Sequence, residues 1–226
     1  RRFAPISRSE IVERTNITSA TVSRIVNKLI KFNLVTEAGY GQSSGGRKPV
    51  LLQLNSDAIL TAGIDIEIDE IRGVIIDLNG EILAQSTVSI RGKTEREYIM
   101  SRVKQVIKKL LAEKDYQKRV IGIGVGMHGI VDYAAGVSVY PPAFDWNELP
   151  VADIIQSQFD LPVIIENNVR ALTFAENWFG LGEKFRNFIC LKIGSGIGSG
   201  IFTEGRLYRG TSNSAGEIGH IMVDED

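Results

Sequence analysis

Phe188-Ile189-Cys190-Leu191-Lys192-Ile193-Gly194-Ser195-Gly196-Ile197-Gly198-Ser199-Gly200-Ile201-Phe202-Thr203 decides how this chain is read. An apolar, strand-like run, Phe188–Ile193, leads into glycines at every second position. A second apolar run, Ile201–Thr203, follows, and Gly205 marks a turn. Gly216-Glu217-Ile218-Gly219-His220 then sets two polar side chains among glycines. Closely spaced glycines let a backbone approach a ligand with its N–H groups exposed. They equally suit a glycine-rich hairpin that binds nothing. The spacing is not that of a dinucleotide fingerprint, because a strand-like segment follows where a helix should begin.

The run L-K-I-G-S-G-I-G-S-G-I with E-G-R-L-Y-R-G-T-S-N-S-A-G-E-I-G-H resembles the signature of the ROK family. That family comprises bacterial sugar kinases and sugar-responsive repressors on the actin-like fold. The resemblance implies an α/β architecture with actin-like (ribonuclease H-like) ATPase-type lobes. Residues 57–186 would form the first lobe and residues 187–226 the start of a second that stops early.

Working outward, the 226 residues have room for one large domain or two smaller ones. No apolar run is long enough for a membrane span. The start, Arg1-Arg2-Phe3, reads as a trimmed N-terminus, and the early stop favours a fragment. The single Cys190 excludes an intrachain disulfide and fits a reducing cytoplasm. The net charge of −1 hides an asymmetry: residues 1–50 hold nine Lys and Arg against three acids, leaving 17 basic and 24 acidic residues elsewhere. A basic head on an acidic body points to a polyanionic partner for the head.

Residues 1–54 read as a winged helix-turn-helix. Ser7 and Glu10 form a capping box, and Thr18 is the next N-cap. Val22, Ile25, Val26 and Leu29 form the expected inner face of a second helix. Ser19, Thr21, Arg24 and Lys28 then stay outside. Arg24 suits guanine O6/N7 and Lys28 suits phosphate. The strand-like Leu34–Thr36 and Val50–Leu54 flank a tip containing Arg47 and Lys48, which suits a minor groove. The tip resembles an AT-hook core, without its first Arg and with Lys48 inserted. A small helical domain for protein contacts is the competing reading.

Residues 55–186 show a β-β-β-α-β-α order. Thr94 and Glu97 read as a capping box for a helix reaching Glu113, with Tyr98 on its inner face. The loop Tyr140–Asn147 suits either a sugar's apolar face or simple packing, and Trp178 and Phe179 are expected in the core. Asn168 is an N-cap candidate for the helix that follows Glu166-Asn167-Asn168.

The resemblance assigns roles to particular residues. Family kinases carry an Asp and a glycine pair at the first hairpin, where nucleotide phosphates bind. Here Asp65 remains, but Glu67, Asp69 and Glu70 occupy the turn, which implies lost nucleotide binding. Asn167, Asn168, Glu217 and His220 fall on the family's sugar-contacting positions. The kinase base, an Asp, is Asn168 here, and an amide cannot take that proton. No catalytic residue and no metal ligand are assigned, and zinc is expected only if a cysteine cluster follows Asp226. The implied protein is a cytoplasmic, sugar-responsive repressor. Its partners are operator DNA, a sugar effector and a second copy of itself, as a dimer or higher oligomer. A sugar kinase with a DNA-binding head, or a DNA binder controlled by a protein partner, are the alternatives.

Overall fold

Ser7 Oγ accepts from the Glu10 N–H at 3.2 Å, and the Ser7 N–H donates to Glu10 Oε2 at 2.9 Å. This reciprocal cap starts α1 (Arg8–Thr15), which ends at Asn16 in the left-handed region. A three-residue turn leads into α2 (Ser19–Lys31), capped at Thr18 without a side-chain bond to the backbone. In this computed structural model residues 3–42, 48–113, 115–194 and 196–221 are described, the side chain of His220 excepted.

Three short strands accompany the two helices: β1 (Ile6–Ser7), β2 (Val35–Tyr40) and β3 (Val50–Leu54), antiparallel in the order β1-β3-β2. Val22, Val26, Val35 and Leu52 form the core, with Ile11, Val12, Leu29, Ile30 and Leu54 packed around it. Ile25 was expected inside but is 44% exposed. At 3.6 residues per turn it lies to one side of the stripe set by Val22, Val26 and Leu29, and Ile30 completes that stripe instead.

The chain divides into two compact units, Arg1–Leu60 with Asp77–Glu81, and Thr61–Ile76 with Ile82–Asp226. The second unit is built on a five-stranded sheet of β4 (Leu60–Ile66), β5 (Glu70–Ile76), β6 (Ile82–Ser89), β7 (Val120–Met127) and β10 (Val163–Asn167), in the order β10-β7-β4-β5-β6. The pairs β4–β5 and β5–β6 are antiparallel, and β7–β10 is parallel. Helix α3 (Arg96–Ala112) packs on β5 and β6 through Ile99, Val103, Val106, Ile107 and Leu110. A Cβ at Gly73 would meet Val106 Cγ1 at 2.4 Å, so the glycine lets the helix sit this close. The expected Thr94–Glu97 box does not form: α3 is capped at Glu95 without a side-chain bond, and Glu97 pairs with Arg96. Ile99 and Met100 take the buried side, leaving Tyr98 half-buried beneath Arg102.

Helix α4 (Tyr116–Arg119) leads into β7, and the small hairpin β8 (Ile130–Asp132) and β9 (Val137–Tyr140) follows. Phe144 and Trp146 stack at 4.7 Å between centroids and are buried, and Trp146 Nε1 donates to Ser138 Oγ at 3.2 Å. Those two rings are therefore packing rather than an open platform. Helix α5 (Val151–Phe159) precedes β10, and α6 (Asn168–Phe179) follows it. Trp178 and Phe179 are 50% and 44% exposed, contrary to expectation, because the buried side of α6 is spent on Val169, Arg170 and Thr173.

Strands β11 (Phe188–Ile193), β12 (Ile197–Thr203) and β13 (Arg206–Tyr208) form an antiparallel sheet. Their glycines divide into two kinds. Gly194 and Gly196 have nothing within 4 Å of a notional Cβ. At Gly200 that Cβ would lie 1.8 Å from Thr173 Oγ1 and 3.1 Å from the Val169 carbonyl, and at Gly198 it would lie 3.0 Å from Val169 Cγ2. The last two glycines seat α6 against β12.

Thr173 cannot yield easily, since it is fully buried and its Oγ1 donates to the Val169 carbonyl at 2.7 Å. Gly200→Ala is therefore expected to destabilise the fold by about 1–3 kcal/mol through overpacking. Gly194→Ala should stay within about 0.5 kcal/mol of the parent. Urea unfolding of the two variants checks this; equal losses would mean that the contact between α6 and β12 is not the constraint.

Candidate functional site

Residue 167, not 168, caps α6. Asn167 Oδ1 accepts from the N–H groups of Val169 at 2.9 Å and Arg170 at 3.2 Å, and its Nδ2 donates to the Gly129 carbonyl at 3.0 Å. Asn167 is buried, and most of its amide is spent on holding the end of β10 and the start of α6. Asn168 is thereby released from capping. It is half-buried, and its Nδ2 donates to Glu67 Oε1 at 3.2 Å.

Glu67 is the first residue of the β4–β5 turn, which is closed by its N–H donating to the Glu70 carbonyl at 3.0 Å. Its Oε1 also accepts from Lys192 Nζ of β11. The other acids of the turn are paired as well, Glu70 with Arg72 and Asp69 with Arg91 at 3.6 Å. The expected repulsion of a triphosphate by three bare carboxylates is therefore weakened. What stands at the turn is a side chain already engaged from two directions.

Asp65 lies behind Glu67 with a buried Oδ1 that has no hydrogen-bond partner. Burial and then the charge of Glu67 push its pKa up to about 6, against the opposing charges of Lys192 and Arg72. His128, just after β7, is held below the usual imidazole range chiefly by burial, against the backbone of Ile66 and the charge of Glu67. Its Nε2 accepts from the Ala143 N–H at 3.4 Å, and its ring tilts against Phe144.

A second network starts at Glu166. Oε1 accepts from Arg170 at 3.2 Å, and Oε2 accepts from Arg209 Nε at 2.8 Å. Arg170 is 1% exposed and also donates to the Asn213 carbonyl. Burial lowers its pKa, while the charges of Glu166 and Glu217 raise it. Arg209 covers the Tyr133 ring at 4.1 Å. Gly216 leaves no room for a side chain, since a Cβ there would lie 2.0 Å from the Ser199 carbonyl. The segment carrying Glu217 is thus pressed onto β12 and faces Arg170.

Arg170 thus links Asn167, which accepts from its N–H, with Glu217, whose charge acts on its guanidinium; Asn168 turns instead to Glu67, and the side chain of His220 lies outside the described residues. In the first unit Ser19, Arg24, Lys28 and Lys48 are exposed, and Thr21 is half-buried with its hydroxyl bonded to Thr18 at 3.0 Å. Arg47 lies outside the described residues. Sequence reasoning missed Arg170, Arg209, Lys192 and His128. The signal for His128 was a histidine close to glycines just after a strand, and that for Arg170 was its i, i+4 spacing from Glu166; Arg209 and Lys192 carry none, because their partners lie far away in sequence. Among the described residues no three His, Cys, Asp or Glu are placed to hold a metal ion, so a zinc site has no ligand set there. No described helix is long and apolar enough to cross a membrane.

The ROK family model matches residues 61–226. A protein named xylose repressor from Caldicellulosiruptor bescii is 35% identical over 220 residues, covering 97% of this chain and 55% of that protein. A solved ROK family transcriptional regulator, described as a homologue of the E. coli MLC protein, superposes with a TM-score of 0.82 at 26% identity, over 99% of this chain and 57% of its own. A ROK family glucokinase from Streptomyces griseus, in complex with glucose and AMPPNP, superposes with a TM-score of 0.67 at 31% identity over 73% of this chain and 51% of its own. The chain spans about half the length of these relatives.

The elevated pKa of Asp65 carries a stability prediction. At pH 4.5 the folded protein holds Asp65 protonated, whereas the unfolded chain, with an ordinary carboxyl, is mostly ionised. The proton favours folding there, and that advantage is lost as pH rises through about 6. Asp65→Asn mimics the protonated form at every pH. It should raise the melting temperature by about 2–4 °C at pH 8 and by much less at pH 4.5. A gain of the same size at both pH values would show that Asp65 titrates normally.

Proposed function

We propose that this chain, which belongs to the ROK family, acts in a sugar-responsive transcriptional repressor whose sugar-binding domain no longer performs phosphoryl transfer. Residues 1–54 are the winged helix-turn-helix head, residues 57–186 the first actin-like lobe and residues 187–226 the start of the second. The observation that carries this reading is Asn168, at the position of the kinase base, bonded to Glu67 from the phosphate-side turn. Two departures from a kinase thus meet in one hydrogen bond, while Asn167 accepts from the Arg170 N–H and the charge of Glu217 acts on the Arg170 guanidinium, which supports the reading.

The head supports the DNA-binding half of the proposal by its form. The outer face of α2 presents Ser19, Arg24 and Lys28, and Lys48 is exposed beyond β2. Arg8 of α1 donates to Asn27 Oδ1 at 3.2 Å, which steadies that face. An Arg with two parallel donors reads guanine, and a Lys neutralises phosphate. Palindromic operators match a two-fold protein, so the functional species is a homodimer or higher oligomer acting in the cytoplasm. Xylose is the effector to test first, since a relative carries that sugar in its name.

The test is fluorescence anisotropy on a duplex selected from random sequences, with and without D-xylose. Arg24→Ala should cost about 1–3 kcal/mol and relax base choice at one position. Lys28→Ala should weaken binding to all duplexes alike and lower the salt slope by about 1. Glu217→Ala should bind the selected duplex normally without sugar and lose most of the sugar response. With ATP, Mg²⁺ and xylose the parent protein should transfer no phosphate above background. Stoichiometric turnover, or operator binding that ignores both head substitutions, would replace this reading by a kinase or by a head that contacts protein.

A further inference from the structure

We infer that Glu67 sets the hydrogen-bonding polarity of Asn168, so that the ligand hydroxyl at Asn168 must donate rather than accept. This rests on the sugar-sensing reading above and adds a specificity-determining residue to it. An asparagine amide has one face that donates and one that accepts, and its neighbours decide which way it lies. Glu67 Oε1 accepts from Lys192 Nζ, and a carboxylate paired with an ammonium is an acceptor only. The atom that Asn168 turns toward it must therefore be Nδ2, as the 3.2 Å contact shows. A flipped amide would set its carbonyl oxygen against the carboxylate, and two acceptors at that distance repel.

Asn168 Oδ1 is left without a donor among the described residues, on a side chain that is only half-buried. The cap of α6 does not compete for it, because Asn167 supplies that bond. Asn168 is thus held as an acceptor with the polarity of a carboxylate and without its basicity. Glu67 acts through Asn168 and is a positioning residue. It reaches across from the β4–β5 turn, while Lys192 on β11 holds it in an ion pair.

Fluorine separates donor from acceptor, since it replaces a hydroxyl at nearly the same size but has no proton to give. Binding of D-xylose and of its analogues with fluorine at carbon 2, 3 or 4 is measured by calorimetry at pH 8. For the parent protein at least one analogue should bind about tenfold or more weakly than xylose, because the bound sugar shuts the Asn168 acceptor away from water and leaves it unpaired. In Glu67→Gln the new amide can donate to Asn168 Oδ1, the Asn168 amide is free to turn over, and that analogue should recover to within about threefold of xylose. Adding Asn168→Asp to Glu67→Gln restores an acceptor that cannot flip and should restore the discrimination. A purely structural role for Glu67 would shift all four sugars together.

The inference is overturned if all three analogues bind the parent protein as well as xylose does, or if Glu67→Gln keeps the full discrimination while still binding xylose. Failure of unmodified xylose and of a wider monosaccharide set to bind the parent protein is a different result. It would sink the sugar-sensing reading, and this inference with it.

Discussion

A buried guanidinium is the constraint around which the second unit closes. Arg170 is almost fully excluded from solvent, and its burial costs several kcal/mol unless its charge and donors are met. Glu166 lies one turn earlier and supplies the nearest carboxylate. Asn213 supplies a carbonyl from the glycine-rich C-terminal segment, and Glu217 adds a second negative charge. Arg209 shares Glu166 and ties the end of the β12–β13 hairpin to the same point. The arginine thus fixes where the Gly216–Glu217 segment lies relative to the start of α6, and with it the Glu217 carboxylate.

The two asparagines at the start of α6 divide their work for the same reason. Asn167 faces the interior, where the free N–H groups of the helix start must be satisfied, and it takes the cap. Asn168, one residue further, faces the β4–β5 turn and is drawn to Glu67. A carboxylate at the second position would face Glu67 as like charge beside like charge. An amide removes that conflict, so Asn168 and Glu67 are mutually consistent choices. The acid turn is likewise consistent with its surroundings, each carboxylate having found a cation in Arg72, Arg91 or Lys192.

Much of the fold was legible in the chain itself. The Ser7–Glu10 cap, the three consecutive strands before α3, the buried β7 and the β10–α6 junction follow from local pattern, because capping and alternation are properties of neighbouring residues. The places where pattern misled were competitions that neighbours do not settle. Ile25 has the right spacing for the core but loses its place to Ile30. Thr94 and Glu97 have the right spacing for a cap, yet Arg96 captures Glu97. Trp178 and Phe179 are apolar but sit on the side of α6 that β12 does not cover.

The sequence by itself determined the order of elements, the basic head, the residues of the signature and the pair Asn167-Asn168 at the start of α6. Each of those is written in residues that are adjacent or a few positions apart. Only the tertiary structure decided that the glycines at 198 and 200 serve helix packing while those at 194 and 196 stand open. It also decided that Asn167 rather than Asn168 caps α6, and that Glu67 meets Lys192 across 125 positions of chain. Contacts of that range depend on how the β4–β5 turn and β11 are brought together by the sheet, the α6–β12 packing and the buried Arg170. No local pattern encodes them, because the free energy that selects each partner arises only once water has been excluded from between them.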